Sequence, residues 1–251
     1  MLDDLRNSVE DALKRGGMIF LDYDGTLVEI REDPENCYAD PDLVSMLETI
    51  DEVWKLFIVT GRTLEDIDRF LGRQFNVVAL HGAIYRPEGR IASYCVDFPK
   101  YRRLSSEIYS QRHRILSEFP GIKMRDKGGA VSFTTWNIGE DRKHALKVFL
   151  NDIARKYGFE LWSGKEIFEM RIPGVNKGIA ISKLRAGRPA IIAGDDTTDE
   201  ESFRYNHDAV TIKVGDGDTS ARFRLSGVQE MREVLTLIVR IHHRGQGASV
   251  L

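Results

Sequence analysis

The sequence predicts an α/β protein: a doubly wound parallel sheet interrupted by an inserted α+β unit. Three observations carry that prediction. Short, wholly apolar runs such as MIFL (18–21), LFIV (56–59) and AIIA (190–193) recur between segments of helical spacing, the pattern of strands buried on both faces. Several of these runs pass directly into Asp, Thr, His or Gly, as strands do where they open into loops. Between residues 97 and 172 the texture changes to alternating strands and polar helices, which suits a small layer with one polar sheet face. The expected division is 1–96 for the first part of the core, 97–172 for the insert, or cap, and 173–251 for the second part of the core.

Taken in order, Leu2, Leu5, Val9 and Leu13 lie at helical spacing, and Gly16-Gly17 stops that helix. MIFLD is the first buried strand. Residues 42–50 form a helix, and KLFIVTGR is a strand followed by a polar loop. In TLEDIDRFLG, Thr63 is placed to cap a helix that Gly72 ends. NVVALHG is the third strand. The insert opens with a polar helix over roughly 98–118, then the strand AVSFTTW, the helix EDRKHALKVFLNDIARKYG and the strand KEIFEMRI. After Pro173 come the helix VNKGIAISKLRAG, the strand PAIIAGDD, the helix TDEESFRY, the strand DAVTIKVG and the closing helix GVQEMREVLTLIVRIHH. The tail RGQGASVL reads as a frayed end.

Composition narrows the classes. The balance of 36 Lys+Arg against 39 Asp+Glu, net -3, offers no basic excess for nucleic acid. No apolar run approaches the length of a bilayer span, and the acidic N-terminus has no signal-peptide core. Cys37 and Cys95 lie in no CxxC or Cys/His cluster, so they read as two buried free thiols. A cytoplasmic monomer with a small-molecule partner, and neither nucleic acid nor membrane, is the expectation.

The chemistry gathers at strand ends. Asp22 and Asp24, Thr60 and Arg62, His81, and Asp195 and Asp196 each follow an inferred strand. Each alone reads equally well as turn chemistry. A doubly wound sheet brings such ends to one crevice, where its ligands bind. Several carboxylates in one crevice repel, and a bound cation is the usual remedy. The donors are oxygens with no His or Cys close by in sequence, which suits Mg²⁺. Lys177 stands at a helix start, where free N–H groups favour a phosphate; the alternative is a solvated surface lysine. In the insert, Lys165 and Glu169 are four apart and share one strand face, with Arg171 continuing it. Such a pair can donate to and accept from sugar hydroxyls, or form a surface ion-pair ladder of small weight.

DYDGT, TGR, NKG and GDDTTDE, in that order, resemble the four motifs of the haloacid dehalogenase superfamily of phosphotransferases. The resemblance implies a Rossmann-like core with an inserted cap. It implies that Asp22 attacks phosphorus to form an aspartyl-phosphate, and that Asp24 acts as acid and then base. Thr60 and Lys177 would hold the phosphoryl oxygens. Asp22, the backbone carbonyl of Asp24, and Asp195 would bind Mg²⁺, with Asp196 and Asp199 in support. DYDGTL, VTGR, LHGA, the K-x3-E-x-R-x-P run before NKG, and GDDTTDE followed by Phe203 further resemble the trehalose-6-phosphate phosphatases. That resemblance implies hydrolysis of trehalose 6-phosphate and sugar contacts from Lys127, Lys165 and Glu169. Arg62 and Arg171 complete the expected substrate contacts. The chain departs from the family pattern at Arg125, Trp136 and Leu80, so a sucrose- or mannosylglycerate-type substrate, or less simply a sugar-phosphate-binding regulator, stays open. The cap is expected to open and close.

Overall fold

The computed structural model describes residues 2–31, 33–164 and 166–247. It divides into two compact units, Met1–Ala92 with Asn176–Leu251, and Ser93–Val175.

In chain order the first unit supplies α1 (Leu2–Lys14), β1 (Met18–Leu21), α2 (Pro41–Asp51), β2 (Leu56–Val59), α3 (Leu64–Leu71), β3 (Val77–Ala79) and β4 (Ile84–Arg86). The second unit supplies α4 (Phe98–Ser110), α5 (Arg112–Glu118), β5 (Lys123–Asp126), β6 (Val131–Thr134), α6 (Glu140–Tyr157), β7 (Glu160–Gly164) and β8 (Ile167–Arg171). The first unit resumes with α7 (Lys177–Arg185), β9 (Ala190–Gly194), α8 (Thr197–Tyr205), β10 (Val210–Val214), β11 (Phe223–Leu225) and α9 (Val228–Gly247).

The core sheet runs β11-β10-β9-β1-β2-β3-β4, parallel except for the antiparallel edge strand β4. From β1 the chain moves outward through β2 and β3, and later outward the other way through β9 and β10. Strand order therefore reverses between β1 and β9, and a ligand crevice belongs outside the carboxyl ends of those two strands. Alternate side chains leave opposite faces. Phe20, Phe57, Val59, Val78 and Ile192 join Ala180 and Ile181 of α7 and Phe203 of α8 in one buried layer. Ile19, Leu21, Leu56, Ile58 and Ile191 are also fully buried. Burial of both faces is why β1, β2 and β9 read as continuous apolar runs rather than alternations.

The second unit is an antiparallel sheet in the order β5-β6-β8-β7. Val131, Phe133, Phe168 and Met170 leave one face and pack on Ile108, Ile115, Leu146, Leu150 and Ala154 of its helices. Ser132, Glu169 and Trp162 stand in one cross-strand row on the other face, with Arg125 at its end.

Several sequence expectations need correcting. The polar helix over 98–118 is two helices, divided at Gln111, which has non-helical backbone angles (φ −84°, ψ 6°). Four strands, β4, β5, β7 and β11, were not foreseen; each is short or half-polar. Cys37 is buried, but Cys95 is only half-buried. The closing helix continues to Gly247, into the segment expected to fray; residues 248–251 lie outside the described residues. Thr63 and Asp66 form the expected cap of α3, reciprocally, and Gly72 ends it with a left-handed backbone. No helix among the described residues is long and apolar enough to cross a membrane.

Candidate active site

Asp22 follows β1 directly. Its N–H donates to the carbonyl of Ala193 on β9 (3.0 Å), so the aspartate is fixed at the switch point itself. Asn176 caps α7 by accepting from the N–H of Ile179 (2.8 Å), which makes Lys177 the first helical residue. The Lys177 ammonium donates to Asp22 Oδ1 (2.6 Å) and to Asp199 Oδ1 (2.8 Å). Asp199 reaches this point because it is the third residue of α8, where its Oδ2 accepts from the N–H of Asp196 (3.1 Å) in a reciprocal cap. Asp22, Asp195 and Asp199 each place a carboxylate oxygen within 4.8 Å of the others.

This is a buried charge cluster. Asp22, Lys177 and Asp199 are all at least nine-tenths buried. Burial, partly offset by Lys177 and reinforced by Asp199 and Asp195, holds Asp22 well above the usual carboxylate range. Asp195 is pushed up to about 7, first by burial and then by repulsion from Asp199. Burial alone would lower Lys177; the carboxylates of Asp199 and Asp22 outweigh it and hold the ammonium above its ordinary value. Three carboxylates and one ammonium remain net acidic. Asp199 spends one oxygen on Lys177 and the other on the Asp196 N–H. Asp22 and Asp195 are left to face a cation, and an all-oxygen, buried, electron-rich set of this kind fits a hard divalent ion.

Two contacts steady Asp195. Thr26 Oγ1 donates to its Oδ1 (3.4 Å), and Lys213 donates to its backbone carbonyl. Glycines allow the close approach. A Cβ on Gly25, whose φ is 81°, would overlap the Asp195 carboxylate, and one on Gly194 would overlap Asp199.

A second group lies beside the cluster. Arg62 donates from Nε to Asp24 Oδ2 (2.6 Å) and from Nη2 to Asp24 Oδ1 (2.6 Å), and from Nη1 to the carbonyl of Pro34 (2.6 Å). Burial opposes the guanidinium charge, but Asp24 holds Arg62 above its ordinary value. Thr60, buried at the end of β2, accepts from the N–H of Arg62 (3.1 Å). This loop is clamped from β3. His81 N–H donates to the Thr60 carbonyl (3.0 Å), and Leu80 N–H to the Arg62 carbonyl (3.1 Å). Leu80 and His81 both hold left-handed backbone, at φ 50° and 56°, a costly conformation that tends to persist at functional sites. The imidazole lies against the Gly61 backbone, where any Cβ would overlap it.

The sequence-predicted residues therefore fall into three sets. Asp22, Lys177, Asp195 and Asp199 meet. Asp24 and Arg62 bind each other above Thr60, so the Asp24 carboxylate stands apart from the three-carboxylate cluster. Asp196 uses its Oδ1 to cap α8 through the N–H of Thr197 (2.6 Å). In the inserted unit Lys127 donates to Glu169 Oε1 (2.7 Å), and Arg171 donates from Nε and Nη2 to Glu169 Oε2 (both 3.1 Å). Lys165 lies outside the described residues. Trp136, one of the departures from the family pattern, is 41% exposed. Lys213 was not anticipated, although a lysine inside the buried run of β10 is itself a signal, since a charge is seldom placed there without a partner.

The parallel sheet, its switch-point aspartates and the buried lysine define a haloacid dehalogenase-like core. The fold matches a haloacid dehalogenase-like hydrolase from B. subtilis (TM-score 0.60, 15% identity, covering 88% of this chain and 98% of that one). More specifically, residues 20–229 match the model of the trehalose-phosphatase family, and the chain belongs to that family of phosphomonoester hydrolases. It is 45% identical over 221 residues to a trehalose-6-phosphate phosphatase-related protein of Thermoplasma acidophilum, covering 88% of this chain and 96% of the relative. A solved structure described as a trehalose-6-phosphate phosphatase related protein superposes with a TM-score of 0.87 at 42% identity, covering 91% of this chain and 100% of that one.

Proposed function

We propose that the protein hydrolyses trehalose 6-phosphate to trehalose and phosphate, with Asp22 as nucleophile. The observation that carries this, together with family membership, is the Asp22–Lys177–Asp199 contact at the β1/β9 switch point. Lys177 holds Asp22 Oδ1, which leaves Oδ2 to attack phosphorus. The bond from phosphorus to the sugar oxygen breaks, an aspartyl-phosphate forms on Asp22, and the leaving alkoxide takes a proton from Asp24. Water then attacks the phosphorus and gives a proton back to Asp24, which frees phosphate and restores Asp22. Arg62 occupies both Asp24 oxygens, so the pair must open for Asp24 to reach the sugar oxygen. Thr60 and Lys177 bind the phosphoryl oxygens, and Lys177 offsets the charge that develops there.

Asp22, Asp195 and the backbone carbonyl of Asp24 would hold Mg²⁺, which would neutralise the carboxylate pair and the charge on the phosphoryl oxygens. In the inserted unit Glu169 accepts from sugar hydroxyls while Lys127 and Lys165 donate to them. The enzyme acts as a cytoplasmic monomer.

The test offers purified protein and Mg²⁺ a panel of sugar phosphates and follows phosphate release. Highest kcat/KM on trehalose 6-phosphate, abolished by EDTA and restored by Mg²⁺, is the expected result. A clear preference for another sugar phosphate would overturn the substrate.

A further inference from the structure

The inserted sheet contains an aromatic contact that no catalytic or phosphate-binding role uses. Trp162 of β7 is paired in register with Glu169 of β8, so the two side chains leave the same face. Two residues on, Gly164 lies on that face too. A Cβ at Gly164 would overlap Cη2 and Cζ3 of Trp162. The indole therefore lies across the Gly164 backbone, and glycine is the residue that admits it. Above the ring the Arg171 guanidinium stacks with its carbon 3.9 Å from the ring centroid, a close cation–π contact. Stacked there, Arg171 presents Nε and Nη2 to a single oxygen of Glu169, while Lys127 takes the other. Glu169 is 2% exposed, so its orientation depends on these donors.

The chain of contacts runs Gly164, Trp162, Arg171, Glu169, Lys127. An arginine has several rotatable bonds, and a flat ring beneath it fixes the plane from which it donates. We propose that Trp162, seated on Gly164, is the positioning residue of this face: it fixes Arg171 and, through it, the Glu169 carboxylate that selects the sugar. This rests on the reading that Glu169 meets the sugar of the substrate. It adds a determinant outside the phosphate chemistry, one that acts on substrate binding.

The test compares kcat and KM for trehalose 6-phosphate and for p-nitrophenyl phosphate, which has no sugar, in five variants. Trp162→Leu removes the ring, and Gly164→Ala displaces it, with a smaller push on Ile167 Cγ2. Each is expected to lower the trehalose 6-phosphate to p-nitrophenyl phosphate ratio of kcat/KM about tenfold, with the loss in the sugar-phosphate reaction falling on KM. Trp162→Phe keeps an aromatic face and is expected to restore most of the ratio. Adding Trp162→Leu to Arg171→Met is expected to lower the ratio no further than Arg171→Met alone, because the tryptophan acts through the arginine. An intact ratio in both Trp162→Leu and Gly164→Ala would overturn the inference alone. A wild-type enzyme with no preference for the sugar phosphate would overturn the substrate reading and the inference with it.

Discussion

The two units arrange charge in opposite ways. In the α/β core one buried cation, Lys177, stands among three carboxylates, Asp22, Asp195 and Asp199. In the inserted unit one buried carboxylate, Glu169, stands between two cations, Lys127 and Arg171. The first cluster is short of positive charge, and burial together with carboxylate repulsion drives Asp22 and Asp195 upward. The second carries its own counter-charge. The acidic cluster of the core is thus suited to a metal cation. The insert needs no ion and offers fixed donors and acceptors, which is what recognition of neutral hydroxyls requires.

That contrast can be broken from either side. The largest effect is expected from Asp22→Asn, which keeps the shape of the side chain but not a nucleophilic carboxylate. Turnover of every phosphoester should fall by roughly 10⁴-fold or more, measured by phosphate release from both trehalose 6-phosphate and p-nitrophenyl phosphate. Substantial turnover in this variant would remove the covalent step from the core's account.

Gly61→Ala should come next. Its Cβ would push on the His81 imidazole and shift the loop that carries Thr60 and Arg62. A displacement of this size at a phosphoryl site is expected to cost about 10²-fold in kcat, again for both substrates. Steady-state kinetics that show a loss confined to the sugar phosphate would place the loop in recognition instead.

A smaller and more selective effect is expected from Glu169→Gln, which leaves Lys127 and Arg171 without their shared charge. KM for trehalose 6-phosphate should rise on the order of tenfold, and the ratio of sugar-phosphate to p-nitrophenyl phosphate efficiency should fall with it. Equal losses on both substrates would erase the division of labour between the units.

The mildest test is thermal. Asp195 has a folded value near 7, above its ordinary 3.8. A raised carboxylate stabilises the fold fully below its unfolded value and loses that contribution as pH rises through the folded one. EDTA-treated protein should therefore lose melting temperature from about pH 4 to pH 8, and Mg²⁺ should return most of it at the upper end. A metal-free melting profile that is flat across this range would show that the acidic cluster is already balanced.

Much of the core was legible in the sequence for a physical reason. β1, β2 and β9 are buried on both faces, so each leaves an unbroken apolar run that loops do not imitate. β4 and β11 are edge strands of three residues, and β5 is the polar edge KMRD. Edges face solvent and carry no such run. The motif residues were visible because Asp, Lys and Thr at strand ends stand out against their surroundings. The supporting contacts were not. Gly61 and Gly194 are needed for the close approach of His81 and Asp199, and nothing in their neighbours announces it. Arg62 was read as a substrate contact, and its two-point hold on Asp24 depends on a loop 38 residues away.

The strand pairing at the switch point also bears on how the chain assembles during synthesis. β1 pairs on one side with β2, which follows it closely, and on the other with β9, through Met18↔Ala190 to Leu21↔Ala193. The whole inserted unit emerges from the ribosome between these partners. Until β9 appears, β1 presents an open parallel edge made of MIFL, an apolar template for pairing with the wrong chain. The insert has its own apolar centre in Phe133, Leu146, Leu150 and Met170 and can bury it without the core. Nascent chains halted before residue 190 should accordingly be aggregation-prone through β1, and Asp22 at its end gains its backbone contact to Ala193 only once β9 has been made.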